Sequence, residues 1–163
     1  SEDNKNKLES IIELKDEVEE YIYIKKNYNP KSKRKKEDSS IIKEIVSPSG
    51  LKIQIGGNNR QNELISLRKR KKGDLWFHAQ ESPGSHVVLK SSSGLVDERD
   101  IQLAADIASL FSRARGNKLV PILMVPIENL QRISGSLPGT VSHRGGRVLW
   151  GKAERAEKYF HQK

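Results

Sequence analysis

The chain has 163 residues, of which 34% are apolar and 31% charged, and its formal net charge is +9. This length fits one domain plus an appendage, because a compact core needs roughly 100–150 residues. The absence of cysteine excludes disulfides and thiolate metal sites, and with no signal peptide or long apolar run we expect a soluble cytoplasmic protein. Because the chain opens on Ser1 within a charged stretch, we also expect it to be a fragment of a longer protein.

The first segment is predicted to be a coiled-coil-type helix over residues 1–29. Its seam residues alternate at spacings of three and four, with charged residues between them: Ile11, Leu14, Val18, Tyr21, Lys25 and Tyr28. Pro30 ends this helix, and residues 30–40 read as a solvated basic linker without an apolar anchor.

The globular part is predicted to begin near Ile41 and to run to residue 151. Short apolar segments bounded by turn residues predict strands, at 42–46, 51–55, 75–79, 86–90, 119–127, 141–143 and 147–150. The last two strands are expected to form a closing hairpin, and residues 152–163 a short helix or tail.

Two helices are predicted within this part. A short one covers 63–67, and a long one begins at the capping residue Asp97 and ends near Gly116. This order predicts an α+β fold in which a mixed β-sheet packs against one long helix.

The positive charge is unevenly placed. Residues 1–40 carry ten Lys/Arg and ten Asp/Glu, so the whole excess falls on residues 41–163. Part of it is concentrated in the run Arg68-Lys69-Arg70-Lys71-Lys72. A solubilising surface is one explanation of such a run, but an excess of this size favours a polyanionic partner.

A polar and aromatic cluster follows the basic run. On a strand, Leu75 and Phe77 share one face, whereas Asp74, Trp76 and His78 share the other. Trp76 is therefore either exposed, where it could stack on a base, or buried with its N–H satisfied.

The two histidines of this region, His78 and His86, have a structural and a functional interpretation. With Asp74 they could form a metal site, and Ser85 beside His86 suggests a hydrolase, but the spacing supports neither chemistry. We expect these side chains to fix the Pro83-Gly84 turn, with RNA contact as a second role, and we predict no metal and no cofactor.

Four motifs together resemble the C-terminal domain of the NFACT family: Gly57–Leu64, Asp74–Ala79, Pro83–Leu89 and Pro138–Val141. The resemblance covers about residues 41–151 and implies an RNA-binding module without catalytic activity, preceded by the end of a long coiled-coil arm. It further implies a ribosome quality control factor that binds stalled large ribosomal subunits, rRNA and tRNA, and that supports mRNA-independent C-terminal tailing. The family's N-terminal domain is not part of this sequence.

We therefore predict an RNA-binding site that combines electrostatic and local contacts. Its candidate residues are Asn58, Asn59, Arg60, Arg68, Lys69, Arg70, Lys71, Lys72, Trp76, His78, Ser85, His86 and Arg144. The competing hypothesis is a protein-interaction module that docks a ribosomal protein, another domain of its own chain or a fibronectin-type ligand. An enzyme acting on RNA ranks third.

Overall fold

The computed structural model describes residues 41–160, and its compact unit begins at Ile42. The predicted coiled-coil helix over 1–29, the predicted linker over 30–40 and residues 161–163 lie outside the described residues. Within residues 41–160, no helix is long and apolar enough to cross a membrane.

Residues 41–160 contain eight strands and three α-helices. The strands are β1 (Lys43–Val46), β2 (Lys52–Ile55), β3 (Leu75–Ala79), β4 (Val87–Leu89), β5 (Val120–Pro126), β6 (Leu130–Arg132), β7 (Val141–His143) and β8 (Arg147–Gly151). The helices are α1 (Asn59–Glu63), α2 (Glu98–Leu110) and α3 (Ala153–Glu157). A π-helical turn (Leu64–Arg68) continues α1, and short 3₁₀ turns cover Ser91–Ser93, Arg113–Gly116 and Ile127–Asn129.

Six strands form one sheet in the order β1-β2-β4-β3-β5-β8, and β6 pairs with β7 in a separate two-stranded sheet. The predicted α+β class, with a sheet packed against one long helix, is confirmed. Every pairing in the six-stranded sheet is antiparallel, whereas the sequence analysis expected a mixed sheet. Short turns join β1 to β2 and β3 to β4, a connection that antiparallel strands alone can make.

The long helix α2 covers one face of the main sheet. Asp97, the predicted capping residue, forms a capping box with Asp100 at its start. Asp100 also accepts a hydrogen bond from the backbone N–H of Ser49 in the β1–β2 turn, at 2.9 Å. The small side chains of α2 pack against apolar residues of the sheet, among them Phe77, which is fully buried. The helix ends at Leu110 rather than near Gly116, because a 3₁₀ turn takes over the last predicted turn.

The opposite face of the sheet carries a second apolar cluster. Trp76, Val88 and Val125 from the sheet pack there against residues that come from the π-helical turn and from the chain after β5. These covering residues are Ile65, Ile127 and Leu130. The sheet is therefore packed on both faces, with α2 on one side and the π-helical turn and the β6–β7 hairpin on the other.

The predicted closing hairpin of residues 141–150 is wrong. Strand β7 pairs with β6 in the small sheet, whereas β8 returns to the main sheet and pairs with β5. The chain crosses between the two sheets through Gly145 and Gly146, whose φ angles are +64° and +109°. Two successive residues in this left-handed region are readily accommodated only by glycine, and here they redirect the chain instead of closing a turn.

The domain extends beyond its predicted end at residue 151. Ala153 and Ala156 of α3 are buried, and Phe160 after the helix makes an edge-to-face contact with Phe111 at 5.1 Å between ring centroids. Asp106 of α2 secures α3 further by accepting two hydrogen bonds from Arg155, both at 3.0 Å. The C-terminal segment is therefore an integral layer over α2.

Candidate nucleic-acid interface

A short helical segment links the Gly-Asn loop to the basic run. Asn58 caps α1 by accepting a hydrogen bond from the backbone N–H of Gln61 at 2.9 Å, and the Gln61 side chain accepts one from Gly57 N–H at 2.7 Å. These contacts are typical of a helix start. The Asn58 side chain therefore has a structural role, and the loop positions Arg60 on the first turn of the segment.

The segment continues through the π-helical turn into the basic residues. The turn closes with a hydrogen bond from Lys69 N–H to the carbonyl of Leu64 at 2.8 Å, and Ile65 within it anchors the turn in the second apolar cluster. The residues that follow carry exposed side chains. We define the basic surface as Arg60, Arg68, Lys69, Lys71, Lys72 and Arg144, of which Arg60 is half-buried and the others are exposed.

Arg70 does not belong to this surface, although the sequence analysis placed it there. Its guanidinium donates hydrogen bonds to the carbonyls of Ile127 and Leu130, at 3.0 and 2.7 Å. The side chain thus fixes the chain after β5 against the basic run. Arg70 is a structural residue because both carbonyls belong to a segment that also supplies core residues.

The same segment brings Arg144 near the basic run. The backbone N–H of Arg144 donates to the carbonyl of Asn129 at 3.2 Å, so residues 127–130 hold both Arg70 and the turn after β7. On the covering layer, Arg132 of β6 forms an ion pair with Glu63 of α1. Although they are distant in sequence, the two basic segments, which are the run 68–72 and the turn that carries Arg144, therefore lie on one side of the sheet.

Trp76, His78 and His86 form a compact group of rings. The indole of Trp76 stacks on His78 with the centroids 5.6 Å apart and the planes within 3°, and His86 stands at right angles to both. Trp76 is only 4% exposed, so of the two alternatives the structure favours the buried indole over one that stacks on a base. Its Nε1 has no hydrogen-bond partner among the described residues. The sequence analysis expected a buried indole to have its N–H satisfied.

His86 is buried as well and does not fit a direct RNA contact. Its Nδ1 lies 2.8 Å from the hydroxyl of Ser66 on the π-helical turn, and its backbone N–H donates to the Asn62 side chain at 3.2 Å. His86 therefore joins β4 to the helical segment that carries the basic residues.

Burial determines the protonation of both histidines. Desolvation lowers the pKa of His78, although hydrogen bonds to the backbone of Ala79 and Gly84 act in the opposite direction. Desolvation, together with the nearby His78, lowers the pKa of His86 well below its usual value. Both rings are therefore neutral at pH 7, and neither adds positive charge for phosphate binding. The contact of His78 with Gly84 agrees with the expected support of the Pro83-Gly84 turn.

Asp74 does not join the histidines. Its buried carboxylate pairs with Lys90 and accepts hydrogen bonds from Ser92, from the backbone N–H at 3.1 Å and from the hydroxyl at 2.5 Å. Burial raises the pKa of Asp74, but the bonds from Lys90 and Ser92 outweigh it and hold the pKa below its usual value. No group of three or more possible metal ligands was found among residues 41–160.

Of the two remaining candidates, Ser85 lies in the turn between β3 and β4, and Asn59 is the first residue of α1. Ser85 donates its backbone N–H to the carbonyl of Phe111 at 3.0 Å, which ties the Pro83-Gly84 turn to the end of α2. Asn59 is half-buried, and its carbonyl lies close to Gly139 of the loop between β6 and β7. The structure therefore attaches Ser85 to the end of α2 and places Asn59 on the helical segment that leads to the basic residues.

The sequence analysis missed one exposed aromatic residue. Trp150 on the edge strand β8 is 59% exposed, whereas Trp76 in the more conspicuous motif is buried. The signal available in the sequence was the aromatic residue within Val148-Leu149-Trp150, where alternation places Leu149 inward and its neighbours outward.

Comparison with known proteins identifies the family. Residues 42–145 match the model of the NFACT protein RNA binding domain.

The chain belongs to the NFACT family.

Curated NFACT-type relatives match over most of this chain. Proteins described as Rqc2 homolog RqcH are 36% identical over 133 residues in Bacillus subtilis and 36% identical over 143 residues in Streptococcus suis. These matches cover 82% and 87% of this chain but 23% and 25% of the relatives, so the chain spans about a quarter of their length.

A solved structure supports the same assignment. The C-terminal part of the fibronectin/fibrinogen-binding protein from Streptococcus suis is similar with a TM-score of 0.66 and 35% sequence identity. The similarity covers 72% of this chain and 48% of that one. The NFACT assignment therefore rests on both sequence and fold.

Proposed function

We propose that residues 41–160 bind RNA through the basic surface, by contacts between its cations and phosphate groups. The observation that carries this proposal is the convergence of two basic segments on one side of the sheet, through their shared attachment to residues 127–130. Lys and Arg side chains on such a surface release counterions from the nucleic acid when they bind, which provides affinity without sequence preference. The match to an RNA-binding domain supports this function.

We further propose that the module acts within a cytoplasmic ribosome quality control factor. In this role it binds rRNA of a stalled large ribosomal subunit, or tRNA, and supports C-terminal tailing without mRNA. The names of the RqcH relatives support this proposal. In this proposal the module contributes binding and no catalysis, since the buried His86 and Asp74 are engaged in structural contacts.

A protein-binding function is the second candidate. The similar Streptococcus suis protein is described as binding fibronectin and fibrinogen, and this domain exposes several large apolar side chains. The salt dependence of the binding affinity distinguishes the two functions. Phosphate contacts weaken steeply as salt is added, whereas the affinity of an apolar protein interface changes little.

The test is a titration of labelled tRNA and of an rRNA helix at roughly 50 mM and 200 mM salt. Replacing Lys71 and Lys72 together by Ala should weaken binding and lower the slope of log K against log salt by about two, one for each lost phosphate contact. Arg70 is left unchanged because its loss would disturb the fold.

The matched control is the double variant Arg99→Ala and Lys158→Ala, which removes the same charge from α2 and from the end of α3. Both side chains are on the helical side of the sheet, so RNA affinity should stay within about twofold of the unchanged chain. Equal losses in the two double variants would show that net charge, and not the basic surface, determines binding. RNA affinity that does not respond to salt would contradict the proposal.

A further inference from the structure

An apolar corner of the main sheet lies beyond the second cluster. In the register of the sheet, His78 pairs with Leu123, which pairs with Val148, and Pro121 pairs with Trp150. Residues paired across antiparallel strands have side chains on the same face. These five residues therefore share the face of Trp76, opposite α2, at the edge formed by β8.

The covering layer reaches Leu123 but leaves the β8 side of this corner open. The π-helical turn and the β6–β7 hairpin pack over Trp76, Val88 and Val125, whereas Val148 and Trp150 farther along the sheet are 44% and 59% exposed. An exposed indole beside an exposed Val on an edge strand leaves an apolar surface open to solvent, a feature typical of binding sites.

The surroundings of this corner are positively charged. Arg144 and Arg147 precede it on the chain, Lys152 follows Trp150 by two residues, and Lys118 lies just before β5. The acidic residue that the contacts place nearest is Asp106 of α2, which accepts a hydrogen bond from the Lys152 N–H at 2.9 Å and is paired with Arg155 on the α2 side. Glu81 in the turn after β3 and Glu154 on α3 are the other acidic residues of the neighbouring segments. Arg147 pairs with Met124 and therefore starts from the α2 face, but its side chain is exposed at the sheet edge, about 10 Å from Trp150 along β8 at about 3.3 Å per strand residue.

This combination favours a nucleotide over an apolar protein segment. An indole offers a flat surface on which a base stacks, and nearby cations neutralise the phosphates that connect successive bases. Such stacking requires a base that is not held inside a duplex. The β8 edge also joins the turn that carries Arg144, so one strand of RNA can follow the sheet edge from the corner to the basic surface.

We propose that Trp150 is a stacking site for an unpaired base, so that this domain binds single-stranded RNA in preference to duplex RNA. We define the β8 corner as His78, Pro121, Leu123, Val148 and Trp150. This inference rests on the proposed RNA-binding function and adds the class of RNA and the residue that selects it.

The experiment compares two labelled RNA probes on the full 163-residue chain: an unstructured oligouridylate of about ten nucleotides and a perfect duplex of the same total charge. Trp150→Ala should weaken binding of the oligouridylate about 10-fold to 100-fold and should change duplex binding by less than about threefold. Trp150→Phe should retain most of the affinity for the oligouridylate because it keeps an aromatic ring. Trp150→Leu should not, because Leu keeps apolar area but has no ring.

Salt and fluorescence provide two further readouts. Trp150→Ala should leave the slope of log K against log salt unchanged, whereas the Lys71/Lys72 double variant lowers it. Because the chain has two Trp residues and the other is buried, quenching of tryptophan emission by oligouridylate should disappear in Trp150→Phe. Thermal melting of each variant verifies that the fold is retained, as expected for an exposed edge position.

Each result separates this inference from the proposed function. If Trp150→Ala, or Trp150→Leu, binds oligouridylate as tightly as the unchanged chain while the Lys71/Lys72 variant loses affinity, stacking is rejected and phosphate binding stands. Selective loss of a protein ligand, with RNA binding intact, would assign the β8 corner to protein docking. Failure of the unchanged chain to bind either RNA would reject both proposals.

Discussion

Adjacent cations in the basic run have different roles. Arg70 directs its guanidinium inward to two carbonyls, whereas its neighbours Lys69 and Lys71 are exposed. Arginine suits the inward position because its planar guanidinium presents several donors in fixed directions. The run therefore combines an anchor with a ligand-binding surface.

This difference predicts that removing one positive charge at Arg70 and at Lys71 will lower the free energy of unfolding by different amounts. Arg70→Ala should lower the free energy of unfolding by about 1–3 kcal/mol, because two carbonyls lose a charged donor. Lys71→Ala should change it by less than about 0.5 kcal/mol, as is usual for an exposed position. Urea denaturation of both variants measures the difference, and equal stability would show that the Arg70 hydrogen bonds do not stabilise the fold.

Side-chain direction was predictable from the sequence for Trp76, but burial was not. Alternation along β3 placed Trp76 and Phe77 on opposite faces, as the structure has them. What buries Trp76 is a layer supplied by Ile65, Ile127 and Leu130, and contacts between residues so far apart leave no periodic signal. The same layer buries His86 and leaves Trp150 uncovered.

The sequence predicted where the strands lie in the chain more accurately than which strands pair with each other. The segments that became β3, β5 and β8 were each recognised by their apolar residues. Partner choice depends on turn geometry and on covering layers, so β8 was assigned to β7 instead of β5. Strand β6 was missed because it has three residues, of which Leu130 alone is buried.

The crossing between the two sheets depends on its two glycines to different degrees. A Cβ at Gly145 would meet nothing within 4 Å, whereas one at Gly146 would lie 2.9 Å from the Met124 carbonyl oxygen. Gly145→Ala should therefore cost about 1–2 kcal/mol for its positive φ, and Gly146→Ala about 2–4 kcal/mol because a steric clash is added.

Chemical denaturation of the two alanine variants tests this ranking. The two positions are adjacent and the substitution is the same, so the difference reports the contact of Gly146 with β5 together with its larger φ of +109°. A greater loss of stability in Gly145→Ala would contradict the described path between the sheets. Oligouridylate binding by the Gly146 variant should also weaken, since β8 carries Trp150.

Residues 41–160 as a whole form a sheet whose two faces are covered by unlike layers. The α2 side is built from small alanines and closed by α3, whereas the other side mixes apolar, aromatic and imidazole groups beneath the basic segments. The fold class was predictable because the long helix and the strands have strong local signals. The layer over the other face was not predictable, because it consists of a π-helical turn and a short hairpin with little periodicity.

The desolvated imidazoles of His78 and His86 should make the stability of the whole domain depend on pH. His78 and His86 have folded-state pKa values below the ordinary value of 6.5, so below that pH the unfolded chain binds more protons than the folded one. The free energy of unfolding should therefore fall as pH is lowered from about 7 to about 5. Asp74 also has a lowered pKa, but its contribution is lost only as pH falls below about 3.8.

Thermal melting at pH 7.5, 6.5 and 5.5 measures this dependence, with His86→Gln as the comparison. The variant should be less stable at neutral pH and should lose less of its remaining stability on acidification. An identical pH dependence in both proteins would exclude His86 as its source.

The π-helical turn between Leu64 and Arg68 has a consequence for how this domain can diversify. It accommodates one residue more than an α-helical turn, and each residue advances a helix by about 100° around its axis. Loss of a single residue there would rotate the basic run that follows the turn relative to the sheet, so that its lysines would face another direction while the sheet kept its register. A length change of one codon, without any change of charge, is therefore sufficient to redirect what this face recognises.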